Sequence, residues 1–391
     1  MVKAVIFDFD GTLCDTGVGV KKSAKYALDA FNVEAPDWEE LDFFIGPPLL
    51  VTFQEKFNQS VTDAEKLVKK YRERYTNIGL YESEFYEGIP QLLKALKSEG
   101  FKLGVASSKP INYVEELLIK SDLKGYFDCI SAVSFNADCE SKQSILSRCI
   151  NELEIEPTEA IMVGDRFYDM DGAREAGVTS VGVLWGFGNK IELIESGADY
   201  VIDKIEDIES IALGMYERTE NAQGIYNGRV LTFHVDDIVL CNGDKANREV
   251  VDHPGGVGII ALTDDDCVYM VRQFRYPYKE TIYEIPAGKR EKGEDPLETG
   301  KRELHEECGI IAENYIDLGK IYPSPGYTNE EIYLYAATGL TEVEQELDED
   351  EFLQVTKMKL STLITKIMSG EITDAKTIAA AFKLKELRNI K

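Results

Sequence analysis

Over the first 210 residues, short apolar runs alternate with amphipathic stretches: KAVIFDFD, QLLKALKSEG, KLGVASS, SILSRCINEL, AIMVGD, SVGVLWG and ADYVID follow one another in that rhythm. Near-continuous apolar runs separated by segments of helical spacing predict an α/β unit built on a parallel sheet. The stretch between the first strand and Gly88 breaks the rhythm. It has no strand pattern, whereas YALDAF and AEKLVKKYRERY space their apolar residues as a helix does, so a helical cap is expected there. From Leu213 to Gly228 the periodicity dissolves into GMYERTENAQGIYNG, whose Gly, Asn, Glu and Thr content suits an exposed connection. Beyond it RVLTFHVDDIVL, GVGIIAL and CVYMVRQF come in quick succession, parted by the turn-rich NGDK and TDDD, and predict an antiparallel opening to the second half. The expected organisation is a core at 1–14 and 87–212, a cap at 15–86, a linker at 213–221 and a second unit at 222–391.

Length agrees with this division, because 391 residues provide for two or three folding units, and each half is long enough to bury its own core. An apolar fraction of 44% with mixed charges is that of a soluble globular chain, and no run of about 18 apolar residues marks a membrane span. The opening MVKAVIFDFD lacks the basic stretch, apolar run and cleavage site of a signal peptide, which sets a cytoplasmic expectation. A formal charge of −28 repels nucleic acid and anionic lipid, so neither is an expected partner. An anionic substrate would need a metal or clustered cations. Seven cysteines (Cys14, Cys129, Cys139, Cys149, Cys241, Cys267 and Cys308) form no CxxC pair and are odd in number, so they read as reduced packing residues. His234, His253 and His305 are far apart. Any metal is therefore expected on carboxylates, which favours magnesium or manganese over zinc.

The strand KAVIFDFD ends in Asp8, Asp10, Gly11 and Thr12, which puts two carboxylates on one face at the mouth of a buried parallel strand. Like charges so close need a cation. Taken alone, the pentapeptide DFDGT reads equally well as a strand end with an Asp-Gly turn. Three further elements change the balance: Ser107 ends the strand in KLGVASSKP, Lys142 precedes the helix SKQSILSRCI, and AIMVGDRFYDMDGA ends a strand with Asp165 and then Asp169. Each has a bland reading as a helix cap or solvated charge, but their order and strand-end positions point to one site.

On DFDGT, VASS, Lys142 and GDRFYD the chain resembles the haloacid dehalogenase (HAD) superfamily over about residues 1–210. That resemblance implies an α/β fold, a Rossmannoid parallel-sheet core with a small helical cap. It implies that Asp8 attacks phosphorus to give an aspartyl phosphate, while Asp10 protonates the leaving oxygen and later deprotonates water. Thr12, Ser107 and Lys142 would hold the substrate's phosphoryl group, and Asp8, Asp10, Asp165 and Asp169 would surround Mg²⁺. FIGPPL, GDRFYDMDGAREAG and GVLWGFG resemble the phosphoglycolate phosphatase and 5'-nucleotidase-like branch. Lys21, Phe44 and Arg74 are alternative cap residues for the leaving group, while Arg72 and Arg74 lie in a helix of alternating charge and read as solvated.

The second constellation is GKREKGEDPLETGKRELHEECGI, from Gly288 to Ile310. Glu303, Glu306 and Glu307 stand at helical spacings of three and four, so they share one face. The glutamates alone would make a solvated helix face. With Gly288, Glu294, Arg302, Leu304, Gly309 and Ile310 they complete a Nudix box, and the chain resembles Nudix hydrolases over roughly residues 222–391. The resemblance implies an α/β/α sandwich with a mixed sheet and a loop-helix-loop that binds Mg²⁺ or Mn²⁺ through Glu303 and Glu307, with Glu306 assisting. REVVDHPGGV, VRQFRYP, YEIPAGK and YPSPGYTNE resemble ADP-ribose diphosphatases, with Pro325 at their downstream marker position. By that resemblance Arg275 contacts phosphate and the Ala287 carbonyl adds a metal ligand.

The acidic segment QELDEDEFLQV reads as an exposed loop on composition. The family pattern instead implies Glu349 as the residue that positions or deprotonates water and Glu351 as a further metal ligand, with a one-residue ambiguity across Glu349, Asp350 and Glu351. Family members dimerise by exchanging N-terminal strands, so a homodimer is expected around Tyr226 to Val239. The implied partners are small phosphorylated metabolites and nucleoside diphosphate derivatives. The implied function is a bifunctional hydrolase that splits ADP-ribose into AMP and ribose 5-phosphate and dephosphorylates a small monoester. The alternatives are another nucleotide sugar or NADH, or one half serving as a non-catalytic ligand-binding module.

Overall fold

The computed structural model describes residues 1–46, 49–134, 140–291, 293–347 and 352–389. Two compact units emerge, Met1–Arg218 with Leu240–Asp244, and Thr219–Val239 with Lys245–Lys391.

In the first unit, β1 (Ala4–Phe7) leads into the short β2 (Cys14–Asp15), the helices α1 (Gly17–Ala30), α2 (Leu49–Phe57) and α3 (Val61–Asn77), and then β3 (Glu84–Phe85). After it come α4 (Ile89–Ser98), β4 (Lys102–Pro110), α5 (Ile111–Lys120), β5 (Cys129–Val133), α6 (Lys142–Glu152), β6 (Ala160–Gly164), α7 (Phe167–Ala176), β7 (Thr179–Val183), α8 (Lys190–Glu195), β8 (Tyr200–Ile202) and α9 (Asp207–Ala212). The six long strands form one parallel sheet in the order β5-β4-β1-β6-β7-β8. Successive side chains of β1 point to opposite faces, and both faces are covered: Val5 and Phe7 join one core, Ala4 and Ile6 the other. Every residue of β1 is fully buried, which explains its unbroken apolar run. Phe7 is in register with Val105 of β4 and Val163 of β6, so the residues that follow these three strands emerge side by side at one edge.

The helical block is tied at its base by the β2–β3 pair, Cys14 with Phe85 and Asp15 with Glu84. Inside it, Phe44 packs on Phe53 at 4.9 Å, and Tyr71 stacks on Tyr75 at 5.2 Å. Ser60 caps α3 by accepting from the Asp63 N–H at 3.1 Å. The expectation that Arg72 and Arg74 are solvated is corrected here. Arg74 is half-buried, and its fork grips both oxygens of Glu82 at 2.8 and 3.0 Å, because the chain returns from the cap to the core beside it. Arg72 lines an internal cleft described below.

The second unit begins with β9 (Arg218–Asn227), β10 (Thr232–Val239) and β11 (Lys245–Asp252), which form a three-stranded sheet in the order β11-β10-β9. The connection expected at 213–221 was read as exposed without strand pattern, and from Arg218 onward it is strand β9. All its residues are exposed, so the strand exists by backbone pairing and carries no buried face to give a period-two signal. Then come β12 (Gly256–Ala261), β13 (Cys267–Arg275), β14 (Glu280–Glu284), β15 (Ala287–Lys289), α10 (Pro296–Cys308), β16 (Ile310–Ile321), β17 (Ile332–Glu342), β18 (Leu353–Lys359), α11 (Leu360–Met368) and α12 (Ala375–Asn389). The sheet β15-β12-β17-β16 is mixed: β12 runs parallel to β17 and antiparallel to β15. Ile259 and Ala261 of β12 pack with Leu304 and Cys308 of α10, whereas Ile260 packs with Leu363 of α11 and Ala380 of α12. The mixed sheet thus has helices on both faces. No helix among the described residues is long and apolar enough to cross a membrane.

Candidate active sites

The edge where β1, β4 and β6 end together carries the first site. Asp8 follows β1, Ser107 stands near the end of β4, and Asp165 follows β6, while Asp169 lies in the first turn of α7. Asp8, Asp165 and Asp169 are all buried, and each offers an oxygen within 4.8 Å of the others. Lys142, the first residue of α6, reaches in between them: its Nζ lies 2.7 Å from Asp8 Oδ1 and 2.7 Å from Asp169 Oδ1, and donates to the Ala106 carbonyl at 3.1 Å. Burial works against its charge, but Asp169 and Asp8 outweigh burial and hold the lysine above its ordinary value.

The carboxyls are not all so well matched. Burial, with Asp169 and Asp8 adding repulsion, pushes Asp165 well above the usual carboxylate range. Burial also pushes Asp169 up to about 6, against the opposing pull of Lys142. Three buried carboxyls around one lysine leave an excess of negative charge in a dry place. A donor set of oxygens without histidine or cysteine fits a hard divalent cation, so these residues could hold a metal ion.

The surrounding backbone is shaped around Asp165. Phe187 N–H donates to its Oδ2 at 2.8 Å, and Thr12 Oγ1 to its Oδ1 at 3.4 Å. Gly11 has φ +82°, and a Cβ there would fall 2.2 Å from Asp165 Oδ2, so glycine is required twice over. Asp10 stands apart from the three-aspartate group. Its Oδ1 accepts from Thr16 Oγ1 at 2.8 Å, and both its oxygens accept from Lys109 Nζ at 2.8 and 3.1 Å.

Sequence reasoning missed Lys109. A signal was present: Lys109 lies two residues beyond Ser107, and the burial pattern there runs buried, exposed, buried, so the two side chains share a face. Asp8, Asp10, Asp169, Ser107 and Lys142 open into a cleft of about 580 Å³, whose cap side includes Phe44, Val68, Tyr71 and Arg72. Of the three cap candidates, Phe44 faces this cleft. Lys21 instead pairs with Asp42 at 2.8 Å, and Arg74 is held by Glu82.

The second site is borne by one helix. Asp295 caps α10 by accepting from Leu297 N–H at 2.9 Å, Pro296 occupies its first turn, and Gly309 ends it with φ 61°. The buried face of α10 carries Glu303, Leu304, Glu307 and Cys308. Glu307 Oε2 accepts from the Ala287 N–H at 2.9 Å. A Cβ on Gly288 would fall 1.8 Å from the Glu303 carboxyl carbon, so strand β15 approaches the helix as closely as glycine allows.

Arg302 stands among the acids. Its Nη1 is 2.9 Å from Glu303 Oε1 and 2.8 Å from Glu306 Oε2, and its Nε is 3.3 Å from Glu294 Oε1. This fork holds Glu306 at the rim, half-buried, while Glu303 and Glu307 go under. Arg275 does not point an open fork at solvent: its Nε and Nη2 donate to the two oxygens of buried Glu284 at 2.6 and 2.8 Å. Lys376 Nζ donates to the same carboxylate. Glu349 and Glu351 lie outside the described residues.

Both arrangements belong to one chemical class, acidic sites suited to metal-assisted hydrolysis of phosphate compounds. The families are specific. Residues 5–183 match the model of haloacid dehalogenase-like hydrolases, and residues 252–380 match that of the NUDIX domain. The chain is 43% identical over 166 residues to an ADP-ribose pyrophosphatase of Bacillus subtilis (strain 168), which covers 42% of this chain and 90% of that protein. It is 35% identical over 189 residues to a 5'-nucleotidase of Pseudomonas aeruginosa, 48% of this chain and 86% of that protein. The crystal structure of a predicted phosphatase from Clostridium acetobutylicum superimposes with a TM-score of 0.53 at 36% identity, covering 55% of this chain and 99% of that one. The chain therefore belongs to the haloacid dehalogenase-like hydrolases through its first unit and to the Nudix family through its second, and both units are hydrolases.

Proposed function

We propose that this chain hydrolyses ADP-ribose to AMP and ribose 5-phosphate at its Nudix site and releases phosphate from one of these monoesters at its HAD site. The observation that carries the phosphatase half is the buried set of Asp8, Asp165 and Asp169 around Lys142, with Asp10 beside it. Asp8 attacks phosphorus, and the bond to the leaving oxygen breaks as Asp10 gives that oxygen a proton. The phosphoryl group then rests on Asp8 until a water, deprotonated by Asp10, attacks phosphorus and frees inorganic phosphate. Thr12, Ser107 and Lys142 hold the phosphoryl group. Magnesium or manganese, held by Asp8, Asp165 and Asp169 here and by Glu303, Glu307, Glu351 and the Ala287 carbonyl in the Nudix unit, would offset the charge of the phosphates.

In the Nudix unit, Glu349 positions or deprotonates the water that adds to one phosphorus of the diphosphate, Glu306 assists, and Arg275 contacts phosphate. The 43% identity to an ADP-ribose pyrophosphatase supports that substrate over another nucleotide sugar or NADH. A homodimer formed through the N-terminal strands of this unit is part of the reading. It is supported by the wholly exposed β9, where Ile225 and Tyr226 are 53% and 61% exposed.

The two reactions make chemical sense in series, since one creates the monoesters that the other consumes. Full-length protein given ADP-ribose and Mg²⁺ should release inorganic phosphate after a lag, and chelation by EDTA should stop both steps. Asp8→Asn should halt at AMP plus ribose 5-phosphate, and Glu307→Gln should yield neither. Wild-type protein that makes both monoesters yet never frees phosphate from either would end the serial reading.

A further inference from the structure

We propose that Lys109 is a positioning residue for Asp10 and that it ties this carboxylate to the cap through Tyr75. The inference rests on the roles of Asp8 and Asp10 given above. Lys109 is 6% exposed at the end of β4. Its Nζ donates to Asp10 Oδ1 at 2.8 Å, to Asp10 Oδ2 at 3.1 Å and to Tyr75 Oη at 2.6 Å. It also lies 5.1 Å from the centre of the Tyr75 ring.

An ammonium has three protons, and these contacts can occupy all of them. Lys109 is therefore engaged away from the nucleophile. The two buried lysines divide the work: Lys142 holds Asp8 and Asp169, and Lys109 holds Asp10. Lys109 lines the cleft, yet its ammonium is spent on a carboxylate and a phenol of the cleft wall.

Tyr75 belongs to cap helix α3 and is itself fixed by packing, stacked on Tyr71 and meeting Tyr113 edge-on at 5.5 Å. The position of the cap thus reaches Asp10 through one buried side chain. A carboxyl that must give a proton to the leaving oxygen, and then take one from water, depends on its orientation in both steps. Placed by Lys109, Asp10 is held in reach of the ester oxygen when the cap packs as it does here.

The test uses two esters of nearly the same shape. p-Nitrophenyl phosphate has a leaving oxygen that departs without a proton, and phenyl phosphate has one that needs help. In the full-length protein, Lys109→Met should lower kcat/KM for phenyl phosphate at least about tenfold more than for p-nitrophenyl phosphate, and Lys109→Arg should recover part of that ratio. With p-nitrophenyl phosphate the first step survives and the second slows, so acid-quenched Lys109→Met should hold more phosphate on Asp8 than wild type does. Tyr75→Phe removes only the cap hydroxyl and should shift the same ratio in the same direction by a smaller factor, a readout that stands even if Lys109→Met fails to fold. Equal losses on the two esters in Lys109→Met, or an unchanged ratio in Tyr75→Phe, would overturn the proposal. Unchanged turnover of p-nitrophenyl phosphate by Asp8→Asn would defeat the covalent mechanism itself.

Discussion

The two sites gather carboxylates in opposite ways. In the HAD unit they come from the ends of separate strands and the start of a helix, so that Thr12 touches Asp165 across 153 residues of sequence. In the Nudix unit Glu303, Glu306 and Glu307 come from neighbouring positions of one helix, and the fold contributes mainly strand β15, whose Ala287 and Gly288 press against them. Counter-charges follow the same division. Lysines from the end of β4 and the start of α6 serve the aspartates, whereas an arginine on the same helix serves the glutamates. A site assembled by topology depends on where strands end, and a site written along a helix depends on what approaches that helix.

The largest effect that can break this contrast is Asp8→Asn. It removes the nucleophile and should lower phosphomonoester turnover at least about a thousandfold while cleavage of ADP-ribose proceeds unchanged, as read by separate assays for phosphate and for AMP. A parallel fall in both activities would mean that the two sites do not work independently.

Next in size is a pair of glycine substitutions that probe approach rather than chemistry. Gly288→Ala puts a methyl group 1.8 Å from the Glu303 carboxyl carbon, and displacing that carboxyl by about an ångström should cost diphosphate cleavage about a hundredfold. Its phosphatase activity should stay intact. Gly11→Ala strikes the other site, because it forces a side chain into a φ of +82° and into Asp165, and should lower phosphatase activity and melting temperature together. Full Nudix activity in Gly288→Ala would show that Glu303 tolerates displacement and that β15 is not a fixed wall.

What could be read from sequence follows the same contrast. In the helix-borne site the shared buried face of Glu303 and Glu307 was legible in GKREKGEDPLETGKRELHEECGI, because their spacing is itself the geometry. The strand-borne aspartates could be located one by one, yet their convergence depends on the strand order β4-β1-β6, which no local pattern states. Lys109 was passed over, because a lone lysine two residues beyond Ser107 carries no motif of its own. Strand β9 was missed because pairing without burial leaves no alternation to find, and the grip of Arg74 on Glu82 was missed because the two meet only once the cap has folded back.

The smallest of the expected effects concerns buried carboxyls whose charges are treated in opposite ways by the two units. Asp165 is pushed above its ordinary value because burial and like charges prevail over its donors. Glu284, equally buried, is held below the ordinary glutamate value of 4.5: burial opposes its charge, but the Arg275 fork and Lys376 more than compensate. A carboxylate lowered in the folded state contributes stability that is fully present above its unfolded value and is lost as pH falls through its folded value. Glu284→Gln keeps the shape and removes the charge, so at neutral pH it should cost about 2 kcal/mol in urea unfolding of the C-terminal unit. The difference between wild type and variant should hold steady down to about pH 5 and shrink below it, as Glu284 in the unfolded chain and then in the folded one takes up a proton. A difference that stays constant to pH 3 would show that the stabilisation by Glu284 does not depend on its ionisation beside Arg275 and Lys376.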